Sequence, residues 1–163
     1  IWEVLPSGEE KILHNGHWEE SAEDSTETRG FFIEDDGGFQ KPMEFWIGAM
    51  VFTPDAKMLI TGSRDNTIRF FEMPTMNELR VVRGHNGWVR SLVVSPDGKV
   101  LISAGDDNTI RFWDIATGRN FRTDKTHGGA VRGIALSPDG LRLASASWDR
   151  TIKLWEGGAP PTE

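Results

Sequence analysis

The chain has 163 residues, 37% of them apolar, with seven Trp, no Cys and a formal net charge of −7. That length can bury a core. The lack of Cys excludes disulfides, thiolate chemistry and Cys-ligated metals. No apolar run approaches the length of a membrane-spanning helix, so no membrane partner is expected. Compartment stays open, with the cytoplasm as the default expectation.

In chain order, Ile1-Trp2-Glu3-Val4-Leu5 reads as a short strand entering a Pro6-Ser7-Gly8 turn, and Glu10 to His14 as a second strand ahead of Gly16-His17. Residues 18–43 form an acidic insertion with eight Asp or Glu and two bases, carrying −6 of the net −7. The remainder, 17 acids against 16 bases, is nearly neutral. A broad phosphate-binding surface, and with it a nucleic-acid partner, is not expected. High charge and few aliphatics predict disorder over much of the insertion. Phe31-Phe32-Ile33 and Phe39 are its apolar exceptions, and GFFI (30–33) is a candidate extra strand. Glu34-Asp35-Asp36 offers oxygen ligands but lacks the spacing of a calcium loop, so the insertion reads as a solvated surface loop.

Beyond it the chain repeats. TPDAKMLITGSRDNTIRFFEM, SPDGKVLISAGDDNTIRFWDI and SPDGLRLASASWDRTIKLWEG begin at Thr53, Ser95 and Ser137, each 42 residues after the last without a gap. In the middle unit, WVRSLVVS reads as a strand covered on both faces. Ser95-Pro96-Asp97-Gly98 supplies a turn: Pro presets φ, Asp bonds its own backbone and Gly permits positive φ. VLISAG, the polar turn Asp106-Asp107-Asn108 and the β-branched and aromatic TIRFWDI follow. Ala116-Thr117-Gly118 then leads into a weaker fourth strand.

A four-stranded unit at this step, with Gly84-His85 early and Trp113-Asp114 late, resembles the WD40 repeat. The resemblance covers residues 44–156. It implies an all-β fold, a β-propeller with about three to four blades in this chain, as part of a larger or shared ring. The expected divisions are 1–17, the end of an incomplete N-terminal blade; 18–43, the insertion; and 44–84 and 85–126, two blades. Residues 127–156 follow as a last blade lacking its fourth strand, with a tail at 157–163. Trp2 to Gly8 aligns with Trp113 to Gly118, so the chain is expected to begin and end part-way through a blade.

His85, Ser103 and Asp107 superficially suggest a catalytic set. The resemblance implies instead a structural hydrogen-bond network, His85–Ser103–Asp107–Trp113, repeated as His127–Ser145–Asp149–Trp155. Recurrence in successive blades favours scaffolding, because an enzyme needs one site. The first full blade keeps Thr61 and Asp65 but has Phe71 at the Trp position, and Met43 occupies the His position in gapless alignment. Either His17 reaches in across the insertion or this blade lacks the network. It is expected to be the softest blade. The resemblance also implies a partner-binding rim at Trp46, Trp88, Arg90, Arg132, Arg64, Asp106 and Trp148. Trp and Arg dominate interface hot spots, although packing between blades also accounts for some of these Trp.

The chain shows no H-E-x-x-H, P-loop, G-x-S-x-G or dinucleotide fingerprint. No enzymatic activity, cofactor or metal is expected. The expected function is a scaffold presenting its rim to a protein or peptide. The alternative is a structural propeller whose open blade edges pair with another copy or with the rest of a longer ring.

Overall fold

The computed structural model describes residues 46–156 in full, together with four short strands before them. The chain divides into two units, Ile1–Phe45 and Trp46–Glu163. In the first, β1 (Lys11–His14) pairs antiparallel with β2 (His17–Glu20), and β3 (Phe32–Glu34) with β4 (Gln40–Pro42). Two strand pairs thus fall where the sequence offered the strand at Glu10 to His14, a candidate strand at GFFI (30–33) and an otherwise irregular insertion. The opening strand at Ile1 to Leu5, Met43, Phe31, Phe39 and the tail 157–163 lie outside the described residues.

The second unit contains three antiparallel meanders and, among the described residues, no helix. The first comprises β5 (Ile47–Phe52), β6 (Met58–Ser63), β7 (Thr67–Glu72) and β8 (Glu78–Arg83), in that order across the sheet. The second comprises β9 (Val89–Val94), β10 (Val100–Gly105), β11 (Ile110–Asp114) and β12 (Asn120–Asp124). The third runs β13 (Val131–Leu136), β14 (Arg142–Ser147) and β15 (Ile152–Glu156).

Side chains alternate across a strand, so a strand between two covering layers must be apolar on both faces. Strand β10 shows this directly. Leu101 joins Ile60, Ile68, Phe70, Val89 and Trp113 in the core between the first two sheets. Its neighbour Ile102 joins Ile110, Val131, Ile134 and Leu143 in the core between the second and third. The sheets meet through their first strands, β5 on β9 and β9 on β13. That is how blades fan about an axis.

Turn chemistry recurs at the same step. At Ser95 the hydroxyl donates to Asp97 over 2.6 Å, and Asp97 accepts the Lys99 N–H at 3.1 Å. Thr53, Asp55 and Lys57 repeat the arrangement. These bonds, the hydroxyl's foremost, hold the Asp55 and Asp97 carboxyls below their ordinary range. Gly98 and Gly140 close their turns at φ of 71° and 73°, whereas the first blade places Ala56 there at φ 56°. A second left-handed position takes Asn66, Asn108 and Arg150.

A buried hydrogen-bond chain and an exposed tryptophan–arginine rim

The polar residues of the second blade form one continuous chain. Trp113 Nε1 donates to Ser103 Oγ at 2.8 Å, and Ser103 Oγ lies 2.7 Å from His85 Nε2. His85 Nδ1 lies 3.0 Å from both Asp107 carboxylate oxygens. An indole N–H only donates. The Ser103 hydroxyl accepts it and bridges to Nε2, while the Nδ1 side of the ring faces Asp107. Asp107 also accepts from the Asn86 N–H at 2.9 Å and from Thr109 Oγ1 at 2.8 Å. Burial raises its carboxyl, but the bonds from His85, Asn86 and Thr109 outweigh that and hold it far below the ordinary 3.8.

The third blade repeats the chain. Trp155 Nε1 donates to Ser145 Oγ at 3.1 Å, Ser145 meets His127 Nε2 at 2.7 Å, and His127 Nδ1 meets Asp149 at 2.8 Å. Here the Thr151 hydroxyl is the largest influence lowering the Asp149 carboxyl, and His127 and the Gly128 N–H add to it.

The first blade differs. Thr61 and Phe71 are buried at the equivalent places. Asp65 accepts from the Thr67 N–H at 3.0 Å, the Thr67 hydroxyl at 2.6 Å and Arg69 Nη2 at 2.9 Å. The equivalent arginine, Arg111, stands off at 3.7 Å from Asp107, whose inner side His85 occupies.

Each Ser hydroxyl is enclosed between an indole and an imidazole, and Ser103, His85, Ser145 and His127 are all buried. A nucleophile with no route to substrate performs no acyl chemistry, so the arrangement ties together strands and the loop that enters the blade. Among the described residues no group of three His, Asp or Glu comes together to hold a metal.

The rim residues lie at the sheet edges where the first strand of each blade begins and the second ends. They form a ribbon across all three sheets. Trp46 and Trp88 meet edge to face, their ring centroids 6.2 Å apart at an interplanar angle of 80°. The Arg64 guanidinium lies 5.5 Å from the first ring and 5.9 Å from the second. Arg90 stacks 3.4 Å from the Trp88 centroid and grips Asp106 through Nε at 3.0 Å and Nη2 at 2.7 Å. Arg132 reaches the same carboxylate at 3.5 Å and stacks 3.6 Å from the Trp148 centroid. Trp46 and Trp148 remain 60% and 69% exposed.

Trp88 has two roles. Its indole covers Gly48 of the preceding sheet so closely that a Cβ there would lie 2.3 Å from Trp88 Nε1. It therefore packs between blades while its ring face carries Arg90. Arg80 was not singled out from the sequence. Its guanidinium crosses from β8 to donate to the Ile115 carbonyl at 3.0 Å and the Ala116 carbonyl at 2.8 Å. The 42-residue repeat does bring Arg122 to the same register, and both guanidiniums lie over equivalent rings, Phe70 and Phe112. Arg122, however, pairs with Asp124, and among the described residues the reach of Arg80 to the next sheet is not repeated.

The family model of the WD domain, G-beta repeat, matches the chain three times, over residues 41–72, 76–114 and 118–156. The second match starts with β8, the outer strand of one sheet, and runs on through β9, β10 and β11 of the next. The third does the same from β12. The repeat in sequence is thus offset by one strand from the sheet in space, and each repeat links two blades covalently. Among solved structures, the chain is similar to that of U3-55K, with a TM-score of 0.67 and 27% identity. That match covers 71% of this chain and 37% of the other. The chain belongs to the WD40 repeat family, and its three described sheets are blades of a β-propeller.

Proposed function

We propose that this chain is a non-enzymatic interaction scaffold whose Trp/Arg rim binds a protein or peptide. The observation that carries the reading is the continuity of the rim. Seven side chains from three sheets touch in sequence from Trp46 to Trp148 and remain open to solvent at both ends. Stacking on indole faces and the shared Asp106 hold the guanidiniums in place before any partner arrives, so little side-chain entropy is lost on binding. Family membership supports protein binding in general, and the continuous, exposed rim supports this location for it. Peptides selected from a random displayed library on the whole chain test this. A Trp46→Ala/Trp148→Ala double variant is expected to lose at least about tenfold in affinity for them, with an unchanged melting temperature because both rings are exposed. Unchanged affinity would remove the rim as the binding surface.

A second reading, assembly through an open blade edge, is favoured by one observation. Among the described residues, strand β15 is the last of the third sheet, and its Ile152 and Leu154 are 75% and 78% exposed. An apolar strand with an unpaired edge invites addition of another strand or blade. Native mass spectrometry separates the readings: assembly predicts a dimer or larger species that Leu154→Lys dissolves, and a monomer argues against it.

A further inference from the structure

The rim is rich in donors and short of acceptors, and this determines the kind of partner that fits. Of its seven residues three are arginines and one is an aspartate, a local excess of positive charge on a chain of net charge −7. That aspartate is already occupied. Asp106 accepts a bifurcated bond from the Arg90 Nε–H and a second bond from Arg90 Nη2, and pairs with Arg132. The other acids along this edge are occupied in the same way. Asp65 is held by Thr67 and Arg69, Asp107 by His85, Asn86 and Thr109, and Asp149 by His127, Gly128 and Thr151.

The donors are not matched. Arg64 is exposed and meets only the two indole faces, with no carboxylate partner among the described residues. Arg132 Nε and Trp88 Nε1 also lack an acceptor but are buried beyond a ligand's reach, so Arg64 is the donor the surface offers. A basic ligand finds no unoccupied carboxylate here. A ligand that brings carboxylates supplies what the surface lacks, and a guanidinium flanked by indoles binds an anion in a partly desolvated setting, where charge-assisted bonds are strongest.

We propose, building on the rim as the interaction surface, that its partner is an acidic peptide segment. One Asp or Glu carboxylate is held by Arg64 between Trp46 and Trp88, and apolar side chains lie on the exposed indoles. A nucleic acid brings the same sign of charge, but the chain's overall −7 repels a polyanion. A short peptide presents only a few charges and avoids that repulsion.

Sequencing the peptides selected on the whole chain provides the test, with Arg64→Glu and Arg64→Lys as variants. Enrichment of Asp and Glu over the input library is expected, with affinity falling at least about tenfold in Arg64→Glu and much less in Arg64→Lys. Affinity should also weaken as salt is raised. Arg64 is exposed, so circular dichroism of both variants is expected to match the parent. Rim-dependent peptides without acidic enrichment, or indifferent to Arg64→Glu, would overturn this inference and leave the rim itself standing. Peptides indifferent to the rim altogether would overturn both. Tighter binding of a single-stranded oligothymidylate than of any selected peptide would assign the rim to nucleic acid and also overturn the inference.

Discussion

The first and second blades share β-strand register, turn chemistry and a half-buried carboxylate, yet they hold that carboxylate differently. In the second, Asp107 is held by an imidazole that continues through Ser103 to Trp113. In the first, Arg69 swings onto Asp65 at 2.9 Å, and Phe71, which has no N–H to offer, fills the indole's place. The carboxylate at the turn is the constant feature, because it organises the backbone and hydroxyl of the Thr two residues on in every blade. The cation or imidazole facing it can change. The consequence is energetic: one blade depends on a relay whose inner members, Ser103 and His85, each bond two others, and the other on a more local ion pair.

The comparison is broken most severely at Ser103. Ser103→Ala leaves His85 Nε2 and Trp113 Nε1 buried and unsatisfied at once, with an expected cost of about 4 kcal/mol. Arg69→Ala in the first blade removes a partly buried ion pair, with an expected cost of about 1 kcal/mol. Denaturant titration of the two variants measures the difference; equal costs would show that the relay has no special weight.

Acid sharpens the same contrast. The Asp107 carboxyl is lower in the folded chain than its ordinary 3.8. Its contribution is therefore complete above about pH 4 and is lost as pH falls through the folded value. Melting temperature should decline with a steep acid limb, and Asp107→Asn should be less stable near neutrality with a shallower limb. An unchanged limb would show that this carboxylate does not drive acid unfolding.

The smallest expected effect lies in the turns. Ala56 holds the left-handed conformation that Gly98 and Gly140 take without cost. Ala56→Gly should stabilise by about 0.5 to 1 kcal/mol, and Gly98→Ala should destabilise by a similar amount, both read from thermal unfolding.

Much of this was legible because period and chemistry coincide. The 42-residue step from Thr53 to Ser137 places equivalent residues in equivalent surroundings, so a reading of one sheet transfers to the next. Cover on both faces of a strand was read from WVRSLVVS, whereas the split of Leu101 and Ile102 between two cores emerged from the structure. What the repeat could not show is what varies between its copies. Asp106 bridging Arg90 and Arg132 joins residues from two blades, as does Arg80 with the Ile115 and Ala116 carbonyls. These contacts depend on how blades rotate against one another, a quantity no single unit encodes. Phe71 was legible as a lost donor, but the Arg69–Asp65 pair beside it was not, since the same Asp-x-x-x-Arg spacing yields 3.7 Å in the next blade.

Buried relays that hold the blades and an exposed rim proposed to bind a partner make separable demands on the molecule. The most direct measurement is the affinity of the Trp46→Ala/Trp148→Ala variant for library-selected peptides, taken beside its melting temperature. Binding should fall by at least about tenfold while the melting temperature stays at that of the parent. Parental affinity in a variant that is still folded would contradict it and move the functional surface elsewhere.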